Sequence, residues 1–548
     1  MRIIILLLLA SPLALAETAI HNISAYTSTN EGLYEFSVLV VGDDGKVVAA
    51  GPPELLNQYP EAIRIDGKGR TLLPGLIDAH AHVYGLGFLQ TSLDLAGTPS
   101  LEAAVAEIAA YAKDNSSKRW LLGRGWNQVL WPVKAFPAAA DIDAIVSDRP
   151  VWLRRIDGHA GWANTRALEI AGIDADTSDP TGGKILRDAN GNATGILIDR
   201  AMDLVEAHVP KPTKDEIRAA YRQAVAELVS LGITSVHDAG IDVPQAEVYM
   251  SMADDSELDM RIYAMTSGAG DVLDAIGEPI VAYGDDRLDI ASVKLYGDGA
   301  LGSRGAAMIE PYSDDPENRG LPFWTDDELL AMTKKSMAMG FQVGIHAIGD
   351  FGNRQALNIF ETAQDGKPSA LRNRIEHSQI IALKDIPRFA ELGVIASMQP
   401  IHATSDMNMA EDRVGPERIK GGYAWRRLLD SGAVLASGSD FPVELPNPFL
   451  GLYAAVTRQD RAGMPEGGWY IDQGLTRVEA LHSFTLAAAF AARQEERLGS
   501  LEPGKWADFI IIDRDFFEVP ASEIDDIRVL ETWVGGQRVF LAGEESSP

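Results

Sequence analysis

The 548-residue chain contains no cysteine. That excludes disulfides and thiolate metal ligands, so any metal must rest on histidine, carboxylate or a modified lysine. Cations are also short: Lys plus Arg number 48 against 79 for Asp plus Glu, a net charge of −31. So acidic a surface repels nucleic acid and anionic lipid and removes both as partners. Beyond residues 1–16 there is no long apolar run, and nothing there is expected to span a bilayer.

The first residues differ. Arg2, the apolar stretch 3–10 and the small-residue motif Ala14-Leu15-Ala16 before Glu17 read as a secretory signal. An uncleaved anchor needs about 20 apolar residues, and Ser11-Pro12 interrupts the run too early. The expected mature protein is periplasmic or secreted. Its ordinary apolar and charged fractions, 46% and 23%, describe a globular chain with a large core.

Eight short β-type runs lie at 75–80, 234–237, 261–265, 292–296, 342–346, 374–377, 394–398 and 434–440. Helical patterns alternate with them. Residues 214–231 place Ile217, Tyr221, Ala224 and Leu228 on one face and stop at Gly232. Thr325 and Glu328 form a capping box ahead of a helix that ends near Met339. Strand–helix alternation with eight strands predicts an α/β fold of the (β/α)8 TIM-barrel type. The barrel region, 75–475, exceeds the roughly 250 residues such a barrel needs, and the excess falls at about 98–212 as a folded insertion after the first strand. Alternating short strands in 17–74, and in 476–548 after a helix, predict one β-sandwich built from both termini.

Chemistry-bearing residues end these strands. His80 and His82, two apart on a strand, face the same side. Lys294, His346, His377 and Asp440 each close a later apolar run. A parallel barrel gathers the C-terminal ends of its strands at one mouth, so these residues are expected to meet. Neutral imidazoles and carboxylates suit zinc and similar divalent ions. His80, His82 and Asp440 are expected on one ion, and His346 and His377 on a second. A free ammonium beside two cations is disfavoured, which makes sense of Lys294 as an N6-carboxylated, bridging ligand. Asp440 would also carry a proton between water and a leaving nitrogen. His159, His237 and Trp126 are candidate substrate contacts; His21, His208, His402 and His482 are expected to be surface or structural.

At these motifs the chain resembles the amidohydrolase superfamily, in its YtcJ-like branch that includes N-substituted formamide deformylases. The match is carried by the stretch from Leu73 to His82, by Gly125-Trp-Asn, by Asp157-Gly-His-Ala, by Val293-Lys-Leu-Tyr-Gly-Asp-Gly-Ala-Leu-Gly-Ser303, by His346-Ala-Ile-Gly-Asp, by Ile375-Glu-His-Ser-Gln, by Gly438-Ser-Asp-Phe-Pro-Val-Glu and by the stretch from Gly499 to Asp508. The resemblance implies a barrel with a composite β-sandwich, divalent metal, and hydrolysis of carbon–nitrogen bonds other than peptide bonds. The superfamily's ligand roles fall on His80, His82, Lys294, His346, His377 and Asp440.

The expected function is an exported metal hydrolase, with one or two ions, that cleaves a small amide such as an N-formyl or N-acyl compound. Two alternatives remain at this level: a lactone or ester hydrolase or deaminase on the same ions, and a non-catalytic ligand-binding protein. The sequence leaves the natural substrate, and the choice between monomer and homo-oligomer, open.

Overall fold

The computed structural model describes residues 17–89, 92–116 and 118–543; the expected secretory signal, 1–16, lies outside the described residues. No helix among the described residues is long and apolar enough to cross a membrane.

Eight strands pair in parallel and in chain order: Leu76–Ala81, Ile233–Ile241, Arg261–Ser267, Leu288–Tyr296, Gln342–Ala347, Arg374–His377, Ile395–Met398 and Leu435–Ser437. Seven of them contain a run read from the sequence or lie within it, and the first is offset by one residue from the run at 75–80. Almost every position in them is buried. That is the signature of parallel strands covered on one face by helices and on the other by the barrel interior. The ring closes between the eighth and first strands. Asp440 N–H donates to the His80 carbonyl at 2.7 Å and His82 N–H to the Phe441 carbonyl at 2.8 Å.

The crossover helices begin where local chemistry dictates. Thr213 and Glu216 form a reciprocal capping box at the start of Lys214–Ser230, and Thr325 and Glu328 do the same for Asp326–Ala338. Apolar side chains from both helices pack on the outside of the barrel.

Both termini share one β unit. Four strands from the N-terminal part and three from the C-terminal part, Phe509–Ile512, Val529–Val534 and Gln537–Leu541, join in one seven-stranded sheet. The pairing departs from the expected sandwich: hydrogen bonds connect all seven strands as a single sheet, with bulges interrupting Thr18–Thr29. Strand Ile63–Pro74 pairs antiparallel with Phe509–Ile512 and leads directly into the first barrel strand. The excess length after that strand is a folded layer. A six-stranded sheet runs from Leu93–Asp94 to Ala193–Asp199 and has its own core around Trp126, Trp131, Leu153 and Trp162.

One buried ion pair joins sheet to barrel. Arg261, which opens the third barrel strand, donates from Nε and Nη2 to the two oxygens of Asp508 at 2.7 and 3.0 Å. Asp508 also accepts the Gly535 N–H at 2.7 Å, while its own carbonyl receives the Gly75 N–H at 2.8 Å. Removing one partner strands the other charge in a dry site, which costs about 3–5 kcal/mol. Asp508→Ala is therefore expected to lower the unfolding free energy in a denaturant titration by that order and to loosen the terminal sheet. Hydrogen exchange showing wild-type protection of Phe509–Ile512 in the variant would refute the assignment of this joint.

Candidate active site

The mouth of the barrel opens into a cavity of about 1480 Å³, roofed by the insertion. His82, Lys294, His346, His377 and Asp440 line it from the barrel, and Arg124 and His159 from the insertion. His80 lies just beneath, fully buried.

The rings are close. His80 and His377 have centroids 4.7 Å apart, His377 and His346 4.5 Å. Asp440 Oδ1 is 3.1 Å from His82 Nε2 and 3.6 Å from His80 Nε2. Lys294 Nζ is 3.1 Å from His80 Nε2 and lies over the Tyr296 ring. Ligand atoms of His80, His377 and Asp440 all fall within 4.8 Å of one another. The two groups expected from the sequence, one per ion, are thus a single compact cluster in which His377 sits with His80 and Asp440.

Second partners fix each imidazole. His80 Nδ1 lies 2.5 Å from Glu376 Oε2, and His377 Nδ1 lies 2.8 Å from Gln399 Oε1. With Nδ1–H committed, each Nε2 keeps a lone pair directed into the cluster, the form a metal needs. Glu376 in turn touches Arg374 (Nε to Oε1, 2.5 Å), which also donates to Ser397 Oγ at 2.6 Å and to His237 Nδ1 at 2.9 Å.

Charge follows from this burial. Desolvation, reinforced by Lys294, pulls His80 down to about 4. Burial and neighbouring rings hold His346 and His377 well below the usual histidine range, so all three are neutral donors. Burial pulls Lys294 down to about 8. The same burial pushes Asp440 up, but His82, His80 and His377 outweigh it and hold the carboxyl well below its ordinary value.

These residues fit a divalent cation. Asp440 Oδ1 is buried and lies 3.6 Å from His80 Nε2, whose Nδ1 is committed to Glu376. An anionic oxygen facing an imidazole lone pair is repulsive unless a cation sits between them. His80, His82, His377 and Asp440 supply the nitrogen and oxygen donor set, with His346 and Lys294 adjoining.

Backbone strain marks the same positions. Asp440 has φ +63° and His377 +74°, left-handed values held here by the surrounding bonds. The loop motifs are also explained. Asp298, buried, accepts N–H bonds from Ala307 (2.8 Å), Ile348 (2.9 Å) and Gly349 (2.8 Å), tying the loop after Lys294 to the loop after His346. Asp78 accepts Ser439 Oγ–H at 2.6 Å and the N–H of His80 and Ser439 at 3.1 Å, locking the first strand to the turn that carries Asp440.

The candidate substrate contacts divide. His159 lines the cavity; its Nδ1 lies 2.7 Å from Asp199 Oδ1 and its ring stands 5.1 Å from His346. His237 does not reach the cavity: its strand continues for four residues beyond it, to Ile241, which leaves His237 beneath the site and bonded to Arg374. Trp126 is also excluded, donating to the Leu153 carbonyl at 2.8 Å inside the insertion's core. His402, expected to be surface or structural, instead lines the cavity with Nε2 3.7 Å from Asp440 Oδ2, and Gln379 holds its Nδ1 at 3.0 Å. The supporting carboxylates Asp78, Asp298 and Glu376 also went unread, although each lies within four residues of a candidate ligand.

The amidohydrolase family model, by its description "Amidohydrolase family", matches residues 64–540. This chain belongs to the amidohydrolase family. The YtcJ amidohydrolase of Bacillus subtilis is 30% identical over 94% of this chain and 98% of its own. The N-substituted formamide deformylase of Arthrobacter pascens is 26% identical over 91% and 92%. The crystal structure of an uncharacterized metal-dependent hydrolase from Pyrococcus horikoshii superposes with a TM-score of 0.75 at 30% identity, covering 92% of this chain and 99% of that one. The amidohydrolase described here is accordingly an enzyme, a metal-dependent hydrolase.

The Gln399 contact makes the metal assignment testable without touching a ligand. Loss of the partner that orients a ligating histidine typically weakens metal affinity about 10–100-fold. Gln399→Leu should shift a chelator-competition titration by that factor. Unchanged affinity would remove His377 from the ligand set.

Proposed function

We propose that this amidohydrolase is exported and hydrolyses a non-peptide carbon–nitrogen bond in a small amide, of the N-formyl or N-acyl kind, with Asp440 as the proton carrier. One observation carries the reading: Asp440 Oδ1, buried, lies 3.6 Å from His80 Nε2 and 3.1 Å from His82 Nε2 at the mouth of a cavity able to take a small molecule. The relative that acts on N-substituted formamides, similar over nearly the whole chain, supports the choice of bond.

Zinc suits a set of neutral imidazoles and one carboxylate. When bound, a divalent ion there supplies Lewis-acid polarisation of a carbonyl and lowers the pKa of water to about 7. His80, His82, His377 and Asp440 would hold one ion. Lys294, buried and drawn toward neutrality, is suited to react with CO2 as a carbamate, and with His346 and His377 would hold a second. Asp440 takes a proton from the attacking water and returns it to the departing nitrogen. His159, its Nδ1 fixed by Asp199, presents Nε2 to the substrate from the roof. Export rests on the signal-like residues before Glu17, and N-terminal sequencing of the secreted or periplasmic fraction should begin there.

Asp440→Asn keeps the size and one ligating oxygen but cannot take the water's proton. Turnover on an N-formyl amide is expected to fall by about 10²–10⁴, with a smaller loss of bound metal. Retention of more than about a tenth of wild-type turnover would remove Asp440 from the proton-carrying role. An ester and lactone panel assayed beside the amide decides the bond type.

Elemental analysis of the metal-replete protein should find zinc, and His80→Ala should lose it. Lys294→Ala should lose activity and one ion, with partial recovery when a small carboxylic acid is supplied. A metal content unaffected by Lys294→Ala would leave a single-ion site.

A further inference from the structure

Five arginines line the cavity, and their partners differ. Arg155 is fully engaged: Nε donates to Gln128 Oε1 and Nη2 to Asn127 Oδ1, both at 2.8 Å, and Nη1 pairs with Asp157. Arg154 forks onto Glu206 at 2.8 and 2.6 Å. Arg200 lies over the Trp324 ring, 3.9 Å from its centroid. Arg461 comes from the segment beyond the eighth barrel strand. Arg124 has a single hydrogen bond, from Nη2 to the Ile156 carbonyl at 2.6 Å. Its Nε is buried without an acceptor, and no carboxylate among the described residues pairs with it.

Other arginines without an ion pair, Arg418, Arg458 and Arg477, each spend two or more N–H groups on backbone carbonyls. Arg124 makes one such bond and lines the cavity. Arg124 is placed by the insertion's strand Leu121–Trp126, on the alternate face from buried Leu121 and Gly123. The bond to the Ile156 carbonyl ties it to the turn that also carries Asp157 and His159. Burial and the nearby charge of Arg154 lower its pKa to about 10, while Asp440, Asp157 and Asp94 act in the opposite sense. None of the three forms an ion pair with the guanidinium, whose planar N–H edge matches a carboxylate.

We propose that Arg124 is a substrate-anion site, and that the amide cleaved at the metal cluster carries a carboxylate, as in an N-formyl or N-acyl amino acid. The carboxylate docks on Arg124 under the roof while the amide carbonyl reaches the cluster at the barrel mouth. The inference rests on the reading of this site as an amide hydrolase, and it adds what holds the other end of the substrate.

The test compares N-formylphenylalanine with its primary amide, matched in size and differing in charge, on metal-replete wild type, Arg124→Gln and Arg124→Lys. Wild type should favour the acid in kcat/KM. A charged hydrogen bond of about 1.5–3 kcal/mol predicts that Arg124→Gln lowers the acid-to-amide ratio about 10–100-fold. Arg124→Lys, which keeps the charge and loses the fork, should fall between, and it carries the comparison if the glutamine variant does not fold. A wild type indifferent to the carboxylate, or a ratio unchanged in the folded variants, overturns the proposal. Calorimetric binding of both compounds separates the two readings. If neither is hydrolysed but the acid alone binds, in an Arg124-dependent way, the anion site stands and the amide reaction falls. If neither is hydrolysed and binding ignores Arg124, the anion site falls as well.

Discussion

The carboxylate of Glu376 is held between two cationic or proton-donating groups and is fully buried. Burial alone would push this acid up; Arg374 and then His80 hold it far below the ordinary carboxylate range. Everything above depends on that balance. An ionised Glu376 accepts the His80 Nδ1 proton, which fixes the tautomer and leaves Nε2 free at the mouth. Arg374 neutralises the charge from below while bonding Ser397 and His237, so strands two, six and seven of the barrel are drawn together beneath the site. Such a buried network stabilises little by itself and is severely destabilising when half removed. Its contribution is positional: it makes the orientation of one imidazole a property of the barrel.

Asp440 shows the complementary constraint from the opposite strand. Its N–H closes the ring on the His80 carbonyl, so backbone closure and ligand placement are one event. The left-handed backbone at Asp440 is sustained by that bond and by the Asp78–Ser439 contacts beside it. Strain at a ligand is tolerable where surrounding bonds over-determine the geometry. This turn has them on both sides.

Much of this was legible in the sequence because parallel-barrel strands are short, apolar and terminated by polar residues. All eight runs could be read, and the six candidate ligands with them, since each closes a run. His237 closes one too, yet lies beneath the site, because the strand itself runs on for four residues, to Ile241. His402 was misread for the opposite reason. It follows a strand by four residues, inside the helix Pro400–Asp406, and only the chain reversal at Gln399-Pro400 brings it to Asp440. The terminal sheet was recognisable from alternation, but alternation reports which face is buried and not whether strands continue into one sheet or split into two. The supporting carboxylates were hidden by proximity. Beside a histidine, an aspartate or glutamate reads as a second ligand or as surface, and its role emerges only when the backbone N–H groups it accepts are seen.

The insertion is where sequence and chemistry part furthest. Trp126 was a candidate contact, yet with Trp162 it is consumed in building a core, which a separate six-stranded layer needs if it is to be rigid. A rigid roof is what lets His159 and Arg124 act at a fixed height over the barrel. His159 is fixed by Asp199, and Asp199 is crowded by Gly299 and Gly305 of the loop after Lys294. A side chain at either glycine would come within 2.7 Å of an Asp199 oxygen, so the glycines are what allow roof and barrel to meet. The candidate ligands of the barrel and the candidate contacts of the insertion are therefore registered through one carboxylate. Variation in the insertion can then change what is bound without disturbing how a bond is cleaved.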